Sequence, residues 1–69
     1  MISKVARELG GSYILPCGTM MVAGGFPTKK AANEFETWLA ENYNLKYCSG
    51  DVKDTSTAFA VRYDIDANV

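Results

Sequence analysis

Hydrophobic positions along the chain change their period several times, and each change marks an element. In the opening MISKVARELGG, Ile2, Val5, Ala6 and Leu9 recur at i, i+3, i+4 and i+7, one helical stripe closed by Gly10-Gly11. A helix of two turns survives only by packing, and residues 2–9 admit a strand as well. SYILPCGTMMVA then reads as a hairpin: Tyr13, Ile14 and Leu15 form an apolar run, Pro16 to Thr19 supply turn chemistry, and Met20 to Ala23 return. Pro16 has no N–H to give a ladder, so it belongs at a strand end or a sheet edge. Gly24-Gly25 breaks the returning strand.

From Thr28 the period is helical. Ala31, Phe35, Trp38, Leu39 and Asn42 share one face, with Ala32 and Tyr43 at its margins. Lys30, Glu34, Thr37 and Glu41 form the opposite row. Thr28 is placed to cap the helix, and Asn44 to end it in a left-handed turn. LKYCS and TAFAVRYDI follow, separated by the polar turn GDVKDTS. Phe59, Val61, Tyr63 and Ile65 alternate with Ala58, Ala60, Arg62 and Asp64, a strand with one buried face that Leu45 and Tyr47 share. The expected fold is α+β: a two-layer sandwich whose four-stranded antiparallel sheet is built in ββαββ order. One main helix covers a single face, with a short N-terminal helix before it.

Composition narrows the picture further. Sixty-nine residues suit one domain, 1–69, and 48% hydrophobic residues mark a folding chain rather than a disordered one. A core this small supplies about 3–5 kcal/mol net, so few large apolar residues are spare for function. The net charge of −1 exerts no overall pull on nucleic acid or anionic membrane. Residues 1–33 nevertheless balance at +3 and residues 34–69 at −4. Cys17 and Cys48 are too few for a disulfide framework and match no zinc spacing, and they read as reduced thiols of a cytoplasmic protein. The longest uncharged run, Tyr13 to Thr28, is shorter than the ~20 apolar residues a membrane span needs. Glu8 among the early basic residues and the lack of a cleavage site speak against a secretory signal. The chain thus reads as soluble and complete.

The candidate chemistry centres on AGGFPTKKAANEF. A phosphate-binding P-loop requires G-x-x-x-x-G-K-[ST]; here Gly24 is followed by glycine, the lysines come only after Phe26-Pro27-Thr28, and Pro27 removes a backbone donor. No dinucleotide fingerprint is present. Strand-to-helix joinery accounts for most of the segment: the glycines end the strand, Phe26 covers the first turn as a staple, Pro27 directs the chain and Thr28 caps. Lys29-Lys30 is left over, because two cations at a helix N-terminus oppose the macrodipole and Lys30 precedes Glu34 in the weaker i,i+4 orientation. Lysines beside free helix N–H groups suit a phosphate or a carboxylate-rich partner.

Other chemistries find less support. The chain has no histidine, the commonest general base, and its acids lie in polar surroundings, so an enzyme is not expected. Neither cofactor nor metal is expected; DIDANV opens like a calcium loop but has Val69 where glycine is required. Nucleic-acid binding would use Lys29, Lys30, Lys46 and Arg62, but the strand aromatics lie on the helix-facing side and no RNP-like pattern appears. Met20-Met21 supplies a second surface, one methionine inward and the other outward beside an unpaired edge, suited to strand addition or self-association. The expected function is a non-catalytic protein-binding module. Its contacts are Phe26, Thr28, Lys29, Lys30, Met20 and Met21, and its profile is that of compact phage or mobile-element proteins that block a host enzyme or defence complex. The alternatives are a nucleic-acid-binding accessory protein and a homo-oligomeric subunit joined through its first hairpin.

Overall fold

A computed structural model describes residues 1–55 and 57–66; Asn68 and Val69 of the calcium-like tail lie outside them. The order is α1 (Ile2–Glu8), β1 (Tyr13–Cys17), β2 (Met20–Phe26), α2 (Lys29–Asn42), β3 (Leu45–Thr55) and β4 (Ala58–Ile65). The strands form one antiparallel sheet in the order β1-β2-β4-β3, and the fold is α+β as the periodicity predicts.

Of residues 2–9, Ile2–Glu8 form a helix and Leu9 is its C-cap. Gly11 N–H donates to Ala6 C=O at 2.8 Å and Gly10 N–H to Arg7 C=O at 2.9 Å, the paired bonds of a Schellman stop. Ala6 is buried, with Ile2, Val5 and Leu9 packed around the same core. In α2, Thr28 Oγ1 accepts from Ala31 N–H at 3.0 Å, the expected cap. The buried stripe is Ala32, Phe35 and Leu39, rotated from the expected one: Asn42 is exposed and its side-chain amide donates back to Trp38 C=O at 2.8 Å. The helix ends through extended Tyr43 rather than a left-handed turn, and Asn44 C=O accepts from Asp66 N–H at 2.7 Å. Phe35 is the hub of the core, with ring centroids 5.3 Å from Phe26 and 6.0 Å from Tyr63.

Four strand expectations are corrected, each for a backbone reason. Pro16 and Cys17 belong to β1, and only Gly18-Thr19 turns. A two-residue loop closes on a hydrogen-bonded pair, Cys17↔Met20, so the next pair, Pro16↔Met21, is non-hydrogen-bonded and the Pro16 nitrogen faces the outer edge. Gly24-Gly25 does not end β2. Gly25, at φ +84°, carries a bulge: three steps from Ala23 to Phe26 are matched by two from Val61 to Phe59. The extra residue reverses the alternation and turns Phe26 into the core, where it packs on Phe35. The segment from Gly50 to Thr55 is strand, not turn, because ladder pairing to β4 continues through Val52↔Ala60 and Thr55↔Ala58. Finally, a bulge between Leu45 and Tyr47 reverses β3, so Tyr47 pairs with Asp64 on the far face and is 47% exposed.

Both helices lie on one side of the sheet, α1 against β1 and α2 across β2, β4 and β3. Ile14, Met21, Ala23, Val61, Tyr63, Cys48 and Ile65 point to them and join the core cluster. Alternation sends Leu15, Met20, Val22, Arg62 and Asp64 to the other face, which neither helix covers.

Candidate functional site

The structure disperses the six residues singled out from sequence. Phe26 is fully buried and has no surface to offer a partner; its ring packs on Phe35 of α2. The Thr28 hydroxyl is engaged as the cap. Met21 packs against the core while Met20 stands on the uncovered sheet face, one inward and one outward as the alternation requires. Neither borders a sheet edge, since β2 lies between β1 and β4; the outer strands are β1 and β3. Lys29 and Lys30 remain together and exposed at the start of α2.

These lysines open onto a shallow depression of about 480 Å³ along the outward face of α2, lined by Lys29, Lys30, Asn33, Glu34, Thr37, Trp38 and Glu41. Helical spacing sets these side chains side by side over three turns. Positive charge stands at the N-terminal end and carboxylates toward the C-terminal end, the reverse of what complements the dipole; α2 has no acid in its first turn and no base in its last. Trp38 supplies the apolar wall. Its ring stacks on Phe35 (6.4 Å, 15°) and meets Tyr43 edge-on (5.8 Å), so the half-buried indole is held by two neighbours. Periodicity assigns Trp38 wholly to the core because it sits one turn from Phe35; its place on the rim of the stripe depends on how α2 is rotated.

The uncovered sheet face is the second candidate surface. Leu15, 56% exposed, stands beside Val22 on β2, and the Tyr13 ring lies over Gly24, where an added Cβ would collide with it. Arg62 and Asp64 share this face on β4.

Cys48 presents no thiolate at neutral pH. Burial, reinforced by the charge of Glu36, pushes the Cys48 thiol from 9.0 up to about 11, so it stays protonated. Burial, and then Tyr43, likewise raises the Tyr63 phenol above its ordinary value. Both cysteines are free. They sit on opposite outer strands, three spacings of ~4.8 Å apart, well beyond the ~7 Å limit for a disulfide. Among the described residues there is no cluster of potential metal ligands, and no helix is long and apolar enough to cross a membrane.

No protein-family model matches the chain, and neither a search of curated proteins nor one of solved structures gives a match.

Proposed function

We propose that this protein is a non-catalytic module that binds another protein on the outward face of α2. The observation that supports this reading is Trp38, held by Phe35 and Tyr43 and lining an open depression with Lys29 and Lys30 at one end. Tryptophan dominates binding energy at protein interfaces, and one already fixed by its neighbours loses little freedom on docking. The partner presents an apolar side chain to the indole and a carboxylate to the lysines. Two free thiols fit a reducing compartment such as the cytoplasm.

The test is capture of partners from lysate by the tagged protein, with nuclease present. A protein retained by the wild type should be lost with Thr37→Arg, which fills the depression from an exposed position, and depleted with Lys29→Ala/Lys30→Ala. Both variants should keep the wild-type circular dichroism. Retention unchanged in both variants excludes this face. Recovery that disappears with nuclease, or weakens steeply with salt, replaces the protein partner by nucleic acid.

A further inference from the structure

We propose that the uncovered face of the sheet is a homodimer interface, joining two copies of this chain about a two-fold axis that runs across the strands. The row Pro16–Met21–Tyr63–Cys48 crosses all four strands; Met21, Tyr63 and Cys48 pack in the core under the helices, and register places exposed Pro16 on the same side. Residues of the uncovered face therefore flank this row in pairs: Leu15 and Cys17 on β1, Val22 and Met20 on β2, Arg62 and Asp64 on β4. A two-fold axis lying over the row exchanges the two members of each pair. Arg62 of one copy then meets Asp64 of the second, and the second copy's arginine meets the first copy's aspartate. Val22 meets Met20 twice, and Leu15 meets Cys17 twice.

Within these three pairs each charge faces its opposite and each apolar side chain an apolar one, and on β3 Tyr47 faces Ser49. That is the self-complementarity a two-fold interface demands, and it is what selects a second copy as the occupant of this face. Sheets pack face to face at ~10 Å, a gap opposed arginine and aspartate side chains bridge. Twist turns the strands of the two copies by about 30°, so the match is closest on β2 and β4, the inner strands. Two further observations agree. The net charge of −1 hardly opposes association, and Pro16 blunts the outer edge of β1 against growth of the sheet sideways. The two copies of α2 would lie on opposite outer sides of the dimer, so this inference stands or falls apart from the proposed function.

The experiment is sedimentation equilibrium of the full chain from micromolar to millimolar concentration. The wild type should approach twice the chain mass. Arg62→Asp sets acid against acid across the axis and Asp64→Arg sets base against base, so each variant alone should dimerise at least about tenfold more weakly. An equimolar mixture of the two should recover the dimer. Should either charge variant fail to fold by circular dichroism, Leu15→Lys, at an exposed position, provides the monomerising change instead. A wild type that stays monomeric throughout overturns the proposal. So does a dimer indifferent to these substitutions, or a mixture of folded variants that remains monomeric.

Discussion

Gly18 and Gly25 both hold left-handed backbone, at φ +65° and +84°, but in unlike surroundings. A Cβ at Gly18 meets nothing within 4 Å, whereas one at Gly25 would overlap the Ser12 hydroxyl. Gly18→Ala should therefore cost only the intrinsic ~1–2 kcal/mol of the left-handed conformation. Gly25→Ala should cost that and the displacement of Ser12, and it threatens the bulge that turns Phe26 inward. Urea denaturation should place its midpoint well below that of Gly18→Ala, and Gly18→Asn should lose least of the three. The cysteines separate as cleanly. Cys17 is exposed and Cys48 is half-buried with a raised pKa. At pH 8 a thiol reagent should modify Cys17 first and reach Cys48 at comparable speed only in denaturant.

At the scale of elements, α2 carries the core through three buried side chains, and its start is secured by one hydroxyl. Thr28→Ala should cost ~1 kcal/mol, and Thr28→Ser much less, because serine keeps the accepting oxygen. Phe35→Ala removes the ring that meets Phe26, Trp38 and Tyr63. Its expected cost of ~3–5 kcal/mol equals the whole net stability expected of a chain this size, so the variant should lose its near-ultraviolet dichroism at 25 °C. Lys30→Ala removes a cation from the helix N-terminus but also its i,i+4 neighbour relation with Glu34. These oppose each other, so stability should change by under ~0.5 kcal/mol while partner capture falls. The elements themselves were largely legible in the sequence, since helical and alternating periods differ sharply. The strand limits were not, because pairing is decided by the neighbouring strand: Pro16 and Gly24-Gly25 carry turn chemistry yet lie within ladders.

For the molecule as a whole, raised acid pKa values make alkaline stability the sensitive direction. Below pH 9.0 Cys48 is protonated in both folded and unfolded chains, and its contribution is constant. Between 9.0 and about 11 the unfolded thiol loses its proton while the folded one keeps it, so stability falls as pH rises. Tyr63, also raised, acts in the same direction above its ordinary value of 10.0. Denaturant midpoints measured from pH 7 to 11 should be level at first and then decline, and Cys48→Ala should flatten the decline between 9 and 11. Where the copies pair, the midpoint should also rise with protein concentration.

Local order along the chain settled the succession of hairpin, main helix and hairpin, the Thr28 cap and the opposite facing of Met20 and Met21, because each depends on near neighbours and on the intrinsic period of helix or strand; it left residues 2–9 open between helix and strand, and left open which methionine points inward. It also marked Lys29 and Lys30 as residues that joinery leaves unexplained. Only the tertiary structure decided the facing of Phe26 and Tyr47, each reversed by one bulged residue in a strand. Only it set the rotation of α2 that brings Trp38 beside the lysines, and the strand order that brings Leu15, Val22 and Arg62 into one row. A bulge or a rotation changes which residues share a surface while leaving every local propensity as it was.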